Sequence, residues 1–228
     1  MPNSKIFVVI AAYNEEKRIK KVITELKKQK YKNIVVVDDG SSDRTYEIAR
    51  KEKVHVLRHI INRGQGAALK TGIDFALINK AEIIVTFDAD GQFLVKEIKK
   101  VITPILKNKA DISLGSRFLG KAVNIPFFKK IVLKLGIFVV LILYRIKITD
   151  SQSGFRALSK KAATEINLTA DRMEHAGEFF HEIKRNNLKY KEVPITVIYD
   201  KYSLKKGQGW DHSIDLGIKM VVKRLIGK

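Results

Sequence analysis

The chain has 228 residues, 45% of them hydrophobic, which is enough for one well-buried core and excludes a disordered tail. It contains no cysteine, so disulfide bonds and thiolate zinc sites are excluded. Lysine and arginine outnumber aspartate and glutamate by 44 to 24, a formal net charge of +20, and we therefore expect a polyanionic partner such as nucleic acid, an anionic membrane surface or a phosphorylated substrate.

Short β-branched segments alternate with segments of helical periodicity in the first half of the chain. The first apolar run, residues 5–12, lacks the length and the small-residue cleavage site of a signal peptide and is predicted to be a strand. Further strands are predicted at 33–39, 54–59, 82–88 and 111–116. This alternation predicts an α/β fold in which helices flank a mostly parallel sheet, and residues 1–116 resemble a nucleotide-binding half.

The composition changes after residue 116. No acidic residue occurs from Ile112 to Thr149, and seven lysines and arginines surround the apolar run Leu135–Tyr144. An apolar helix with basic flanks is typical of an element that lies in a membrane interface, and an ordinary core helix with solvated lysines is the alternative. The run is too short to span a bilayer, which takes roughly 18 or more residues. A second basic amphipathic helix is predicted at 211–228.

Compact polar segments follow four consecutive predicted strands. In a doubly wound sheet the carboxyl ends of the strands face one crevice, and ligands bind there. The sequence therefore predicts a ligand site at this edge of the sheet. The four segments are AAYNEE (11–16), DDGSSD (38–43), NRGQGAALKTG (62–72) and DADGQF (88–93).

Asp88 and Asp90 are candidate metal ligands. Carboxylates are hard oxygen ligands that favour Mg²⁺ or Mn²⁺, and such sites commonly complete their shell with phosphate oxygens and water. The Gln92 amide oxygen is a further donor. A calcium-binding loop is disfavoured because Gly91 follows Asp90 directly, without the third acid that such loops need. A plain acidic turn remains the alternative.

The glycine-rich segment 62–72 is neither a dinucleotide-binding fingerprint nor a P-loop, because its spacing is wrong and it follows the third strand. Gly64 and Gly66 either permit a tight turn at a helix start or let a nucleotide or sugar approach the backbone.

Six motifs in order carry a family resemblance: AAYNEE, VVDDGSSDRT, NRGQGAALKTG, DADGQF, GSRF and DSQSGFRAL. Together they resemble the family 2 glycosyltransferases with the GT-A fold, a Rossmann-like α/β fold, and most closely the dolichol-phosphate mannose or glucose synthase branch. The resemblance extends from Lys5 to about Gly209. It implies one GT-A domain over 1–210, with an acceptor half at 117–210 and the C-terminal helix beyond it.

The resemblance implies inverting, metal-dependent transfer of a hexose from a nucleotide sugar, GDP-mannose or a UDP-sugar, to a polyprenyl or dolichyl phosphate. Mg²⁺ or Mn²⁺ would be held by Asp88, Asp90 and Gln92. Asp39 would accept a hydrogen bond from a base N–H. The implied nucleotide-sugar contacts are Ala11, Tyr13, Glu15, Val37, Asp39, Gly66, Lys70, Asp88 and Ala89.

Arg117 is expected to bind the acceptor phosphate, with Lys129 or Lys130 beside it, because a guanidinium binds phosphate through two parallel hydrogen bonds. Lys205 or Lys206 would replace an arginine that the family carries near the C-terminus, and Lys206 is the residue assigned here to the acceptor phosphate. The catalytic candidates are Asp90, Arg117 and Asp150. Asp150 either lies near the sugar or caps a turn.

The expected location is the cytoplasmic side of a membrane, as a peripheral protein that binds through its own basic segments or through a membrane-anchoring partner subunit. A family 2 transferase for a soluble or protein-linked glycan is one alternative, and its neutral acceptor would require a carboxylate base. A nucleic-acid-binding module is another. It is disfavoured because the basic residues lie beside apolar runs and no nucleic-acid-binding motif occurs.

Overall fold

The computed structural model describes residues 5–206, and the helix predicted at 211–228 lies outside this range. The strands are β1 (Ile6–Ala12), β2 (Asn33–Asp38), β3 (His55–Arg58), β4 (Ile83–Asp88), β5 (Ile112–Val123), β6 (Arg156–Ser159) and β7 (Tyr190–Ile198). The helices are α1 (Ile19–Lys28), α2 (Thr45–Lys51), α3 (Gln65–Ile78), α4 (Ile98–Leu106), α5 (Phe127–Tyr144), α6 (Lys160–Glu165), α7 (His175–Arg185) and α8 (Lys201–Lys206).

The described strands form one sheet of seven, in the order β3-β2-β1-β4-β6-β5-β7. Neighbouring strands are parallel except where β6 lies between β4 and β5 and runs antiparallel to both. The predicted mostly parallel α/β sheet is therefore confirmed. The proposed boundary after residue 116 falls inside β5, so one continuous sheet crosses it.

Helices cover both faces of the sheet, and this explains why its central strands are almost wholly apolar. Alternate residues of β1 enter opposite cores, with Ile6, Val8 and Ile10 on one face and Phe7 and Val9 on the other. The first core also receives α1, α2 and α4, and the second receives α3, α6 and α7. The sheet edge that carries the polar loops is thus fixed by packing on both sides.

Helix α5 has an exposed apolar stripe. Only Leu133 and Val140 of this helix are buried. The stripe consists of five residues spaced by three and four positions, which places them on one helical face. Their exposed fractions are 77% for Phe128, 41% for Ile131, 59% for Leu135, 60% for Phe138 and 59% for Ile142. Among residues 5–206 we find no helix with both the length and the apolar character that spanning a bilayer requires.

Candidate active site

A cleft of about 380 Å³ opens at the carboxyl ends of β1, β2 and β4. This is the edge at which parallel α/β sheets bind ligands, as the sequence predicts. Side chains from β5, α5 and α8 complete it. The lining residues are Ala11, Ala12, Tyr13, Glu15, Asp39, Asn62, Gly64, Gln65, Ala68, Asp88, Ala89, Asp90, Gln92, Phe93, Arg117, Lys129, Gln152, Met173 and Ser203.

Asp39 anchors the loop between β3 and α3. Its Oδ1 accepts a hydrogen bond from the backbone N–H of Arg63 at 3.0 Å and contacts His59 Nδ1 at 2.7 Å, and its Oδ2 accepts from the N–H of Gly64 at 2.7 Å. His59 in turn contacts Thr71 Oγ1 at 3.0 Å. Since a carboxylate offers about four acceptor positions, three partners leave capacity for a donor N–H from a ligand. Asp39 is therefore held in a fixed position on the cleft wall.

Asp88 lies at the end of β4, where two neighbours fix its carboxylate. Gln65 Nε2 donates a hydrogen bond to its Oδ1 at 3.1 Å. A Cβ atom at Gly154 would lie 2.6 Å from the same oxygen, so the carboxylate occupies the space that glycine leaves open. Burial and the nearby Asp90 carboxylate raise the pKa of Asp88 to about 7, against the opposing charges of Arg156 and Arg117. A cation beside this pair would relieve their mutual repulsion.

The donor set suits a divalent ion that also binds a ligand. Within residues 5–206 no three His, Cys, Asp or Glu side chains form a metal cluster. Asp88 and Asp90 supply carboxylates, Gln92 supplies an amide oxygen, and all three line the cleft. Gly91, at a φ of 77°, turns the chain so that the backbone N–H of Gln92 donates to Asp90 Oδ1 at 2.9 Å. Hard oxygens with room for ligand oxygens fit Mg²⁺ or Mn²⁺.

Arg117 enters the cleft from a buried hydrogen-bond network. Asp150 Oδ2 accepts hydrogen bonds from the Arg117 backbone N–H at 2.9 Å and from its Nε at 2.6 Å. Arg117 Nη1 donates to the Tyr199 hydroxyl. Burial lowers the pKa of Arg117, but the attached Asp150 carboxylate outweighs this and the net shift is upward. Arg117 is therefore a fixed positive charge.

Lys129 places a second cation near Arg117. Its Nζ lies 5.1 Å from the ring centroid of Tyr199, a cation–π contact. Burial, and then the charge of Arg117, lower the pKa of Lys129. An anion between these two side chains would offset both effects.

Arg156 and His175 lie behind the cleft, and both are buried, with exposed fractions of 2% and 3%. The Arg156 guanidinium lies 4.1 Å from the ring centroid of Phe179, and burial lowers its pKa to about 10. Burial and the Arg156 charge lower the pKa of His175 to about 4, and its Nδ1–H donates to the Arg172 carbonyl at 2.8 Å. His175 is thus neutral near pH 7.

Helix α8 contacts the segment that follows β1, at one side of the cleft. The Tyr202 hydroxyl donates to Glu15 Oε2 at 3.0 Å, and the Arg18 guanidinium lies 4.9 Å from the Tyr202 ring centroid. Arg18 also pairs with Asp200. The C-terminal part of the described chain is thereby attached to the segment after β1.

Some residues implied by the resemblance lie away from the cleft lining. Val37 is fully buried in the core. A Cβ at Gly66 would lie 2.0 Å from the Ala170 carbonyl oxygen, so this glycine admits the protein's own loop. Lys70 Nζ pairs with Asp74 at 2.6 Å on the surface of α3. Lys130 is exposed on α5, and the side chain of Lys206 lies outside what the structure describes.

Asp150 is also placed differently from a sugar-facing carboxylate. It does not belong to the cleft lining, and its Oδ1 accepts from the Gln152 N–H at 3.2 Å while its Oδ2 binds Arg117. Neither alternative from the sequence, a carboxylate near the sugar or a turn cap, includes its contact with Arg117. Asp150 caps a turn and also positions Arg117.

Several residues of the site were not singled out from the sequence. Gln65 and Gln152 lie inside quoted motifs, so the motifs carried a signal for them. Tyr199 and Met173 belong to segments with no recognisable pattern, and only the fold brings Tyr199 to Arg117 and Met173 to the cleft. The cleft-lining residues missed in this way are Ala12, Asn62, Gln65, Ala68, Phe93, Gln152, Met173 and Ser203.

Comparison with known proteins identifies the family. The model of glycosyl transferase family 2 matches residues 7–166. The chain belongs to this family. It is therefore a glycosyltransferase, and the recognition made from six motifs is confirmed. An uncharacterized protein of Methanocaldococcus jannaschii is 47% identical over 98% of this chain and 92% of its own length.

Two relatives of the family 2 chain have assigned activities. A UDP-N-acetylglucosamine–dolichyl-phosphate N-acetylglucosaminyltransferase of Methanococcus voltae is 38% identical over 100% of this chain and 98% of its own length. A dolichol-phosphate mannosyltransferase of Pyrococcus furiosus is 36% identical over 84% of this chain and 56% of its own length.

The fold is that of known sugar-nucleotide enzymes. The crystal structure of glucosyl-3-phosphoglycerate synthase from Mycobacterium tuberculosis with Mn²⁺ and UDP-glucose matches with a TM-score of 0.74 at 19% identity, covering 96% of this chain and 78% of that chain. At this identity the likeness concerns the fold alone, and the predicted GT-A architecture is confirmed.

Proposed function

We propose that this family 2 enzyme is an inverting transferase that moves a hexose from a nucleotide sugar to a polyprenyl or dolichyl phosphate. The observation that carries the proposal is the pairing within one cleft of a carboxylate set, Asp88 and Asp90, with two cations, Arg117 and Lys129. The first can hold a metal–diphosphate and the second an anionic acceptor. Relatives that act on dolichyl phosphate support the same acceptor.

The donor would lie along the ends of β1, β2 and β4. Asp39 would accept the base N–H, and Tyr13, 43% exposed at the cleft, offers a ring beside it. Asp88, Asp90 and Gln92 would hold Mg²⁺ or Mn²⁺, which when bound offsets the negative charge of the diphosphate. Gln65 and Gly154 keep the Asp88 carboxylate in position for this task.

The acceptor phosphate needs charge stabilisation and no base. A phosphate monoester is already anionic near neutral pH, so its oxygen can attack the anomeric carbon without losing a proton to the protein. Arg117 and Lys129 would orient it and reduce the repulsion between the incoming phosphate and the departing diphosphate. Asp150 and Tyr199 would keep Arg117 in place during this step.

The same residues argue against a neutral acceptor. Such an acceptor would need a carboxylate near its hydroxyl. Asp150 is bound to Arg117, and Glu15 accepts from Tyr202. Asp39 is bound to the loop before α3. The remaining carboxylates that line the described cleft, Asp88 and Asp90, are assigned to the metal.

The first donor to test is UDP-N-acetylglucosamine, since the Methanococcus relative named for it matches the whole chain. Isothermal titration with Mn²⁺ or Mg²⁺ would compare it with UDP-glucose and GDP-mannose. We expect metal-dependent binding of one donor and its loss in Asp88→Asn/Asp90→Asn. Lys107→Gln, at an exposed position after α4, is the control. Donor binding that needs no divalent ion, or that survives the double substitution, would refute the metal assignment.

Transfer itself is tested with a polyprenyl phosphate and labelled donor. The product should retain the lipid phosphate and carry the sugar with inverted anomeric configuration, measured by NMR. Equal turnover with a neutral water-soluble glycan would contradict the proposed acceptor class.

The apolar stripe of α5 supports peripheral binding to a membrane, and we propose that the face is the cytoplasmic one. Its five exposed apolar side chains would enter the interface while Lys130 and Lys134 face anionic headgroups. Flotation with anionic vesicles should show binding by the wild type and a marked decrease for Lys130→Glu/Lys134→Glu. If the wild type does not float at any salt concentration, peripheral binding through the protein's own basic and apolar segments is refuted.

A further inference from the structure

A second concave site lies at the other end of α5 and shares no residue with the cleft. It is a groove of about 520 Å³, lined by residues 142–145 and by His181, Lys184 and Arg185 of α7. The Tyr144 and His181 rings contact each other edge-on at 6.1 Å between centroids. The proposed transfer reaction makes no use of this groove.

The groove is electropositive. Arg145, Lys184 and Arg185 line it, and no carboxylate does so. Glu182, which is buried, pairs with Arg185 at 2.9 Å. Neither Arg145 nor Lys184 has a carboxylate within ion-pairing distance in the part of the chain that the structure describes. Three cations against one carboxylate leave a net attraction for an anion.

The groove continues the apolar stripe of α5. Ile142, the last residue of the stripe, lines the groove together with Arg145, the residue that ends α5 in a left-handed backbone conformation. At 1.5 Å per residue, Arg145 lies roughly 24 Å along the axis from Lys129, which lines the cleft. A surface that covers the stripe would therefore meet the basic groove at the C-terminal end of α5, while the cleft with Lys129 lies near the other end.

We propose that this groove binds the phosphate headgroup of an anionic phospholipid and so sets the orientation of the enzyme on the bilayer. The inference rests on the membrane binding proposed above. A free phosphate or nucleotide could satisfy the cations alone, but only a bilayer lipid would also bring the exposed apolar surface of Ile142 and Phe138 into contact with hydrocarbon. Charge and apolar continuity together favour the lipid.

The test compares Arg145→Gln/Lys184→Gln with Lys107→Gln/Lys109→Gln. The second pair removes the same charge from exposed positions after α4, on the other face of the sheet. Partition into phosphatidylcholine vesicles doped with phosphatidylglycerol is measured for both. We expect the groove variant to lose about tenfold in partition coefficient, since each cation near an anionic surface contributes appreciably, and the control to lose less than threefold. Undoped vesicles should show no difference between them.

Two further experiments are needed. The first distinguishes a lipid phosphate from free phosphate, and the second distinguishes failure of the groove proposal from failure of the proposed function. Inorganic phosphate, titrated at constant ionic strength, should not displace the wild type from doped vesicles, and displacement at low concentration would overturn the lipid assignment. Metal-dependent donor binding and transfer to a short-chain, water-soluble polyprenyl phosphate should be unchanged in the groove variant, while transfer in doped vesicles falls. Equal losses of partition in the two variants, with donor binding intact, would overturn the groove alone. Failure of the wild type to bind any vesicle would overturn both this inference and the membrane part of the proposed function.

Discussion

The carboxylate of Asp88 fills the space in which any side chain at residue 154 would have to lie. Gly154 is therefore required by contact rather than by a special backbone conformation, and its carbonyl also accepts from Thr86 Oγ1 at 2.6 Å. The motif DSQSGFRAL thus contributes to the proposed metal site through a residue that carries no chemistry of its own.

Replacing Gly154 with alanine should displace Asp88, because the new Cβ would lie 2.6 Å from its Oδ1. We expect metal-dependent donor affinity to fall by about tenfold or more, comparable to the loss of a supporting contact around a metal ligand. Isothermal titration measures it. Ser153→Ala, one residue earlier, is the control and should bind as the wild type does. Unchanged affinity in Gly154→Ala would show that Asp88 can shift without consequence.

Replacing Tyr199 with phenylalanine should loosen Arg117 without removing its charge. The lost hydrogen bond to Arg117 Nη1 is worth about 1–3 kcal/mol when the donor stays buried. We expect the KM for the polyprenyl phosphate to rise several-fold, while donor affinity stays unchanged because Tyr199 lies outside the donor contacts. Equal changes in donor and acceptor parameters would indicate a general loss of structure instead. Tyr190→Phe, at the start of β7, the strand that Tyr199 directly follows, is the matched control.

At this scale the sequence predicts the polar residues that line the cleft better than the residues that support them. Asp88, Asp90, Gln92 and Arg117 could be named because their motifs have recognisable spacing. Tyr199 could not, because it reaches Arg117 across 82 positions of chain and its local sequence resembles any strand end.

Among the elements, α7 begins with a buried titratable residue. His175 is neutral in the fold because burial and the Arg156 charge oppose its protonation. The first turn of α7 therefore depends on pH, whereas the glutamates Glu178 and Glu182 further along accept backbone N–H bonds from residues 167, 169 and 170.

The contribution of His175 to the stability of the protein should fall as the pH is lowered from 6.5 towards 4. The raised pKa of Asp88 acts in the opposite direction over the same range, so the His175 effect is measured as a difference between wild type and variant. Its pKa is about 4 in the fold against the ordinary 6.5, so the unfolded chain binds more protons between these values. The stabilising contribution of His175 is complete above pH 6.5 and decreases between pH 6.5 and pH 4. Below pH 4 it does not decrease further. From pH 7.5 to 5.0 the expected loss is about 2 kcal/mol.

Urea unfolding at these two pH values measures the effect. The change in stability between the two pH values should differ between His175→Gln and the wild type by about that amount, with the variant relatively more stable at pH 5.0, whatever its absolute stability. His181→Gln, on the same helix, should retain the wild-type pH dependence. The same pH dependence in all three proteins would assign it to other groups.

Some strands could be predicted from the local sequence and others could not. The five strands up to residue 116 follow from apolar runs bounded by polar turns. Four form within one residue of the predicted bounds, and the fifth begins within one residue of its predicted start but continues to Val123. The antiparallel β6 could not be foreseen from local pattern, because it has only four residues and inserts between β4 and β5 through pairings with both. Its position explains why Arg156, its first residue, lies buried behind Asp88.

Across the whole molecule, positive charge and exposed apolar surface occur together on α5. The formal charge of +20 acts over about 10 Å at moderate ionic strength, whereas apolar insertion is insensitive to salt. Association with a membrane should therefore have two separable components.

Replacing Leu135 and Phe138 with serine should abolish the salt-resistant part of vesicle binding. We expect the variant to bind anionic vesicles at low salt and to dissociate at high salt, where the wild type retains part of its binding. Co-sedimentation over a salt series measures this. Ile60→Ser/Ile61→Ser, which removes exposed apolar residues from the loop after β3, is the control. Identical salt profiles for all three proteins would mean that the stripe does not insert.

The overall arrangement could be predicted for the part of the chain that carries the family motifs. Order of motifs gives the fold and the position of the cleft, and composition draws attention to α5. The side of α5 that packs on the sheet determines which face the helix exposes and where the groove at its end lies. The alternation of lysines and apolar residues in α5 does not predict that side from the sequence.

Helix α5 carries both Lys129, at the cleft, and the stripe that would contact the bilayer. A phosphate held by Lys129 would then lie near the level of the headgroups, so the polyprenyl tail would never have to leave the hydrocarbon to be glycosylated. Such an enzyme would contact only the phosphate group of its lipid acceptor. Turnover should therefore be nearly independent of the number of isoprene units once the acceptor is anchored in the membrane.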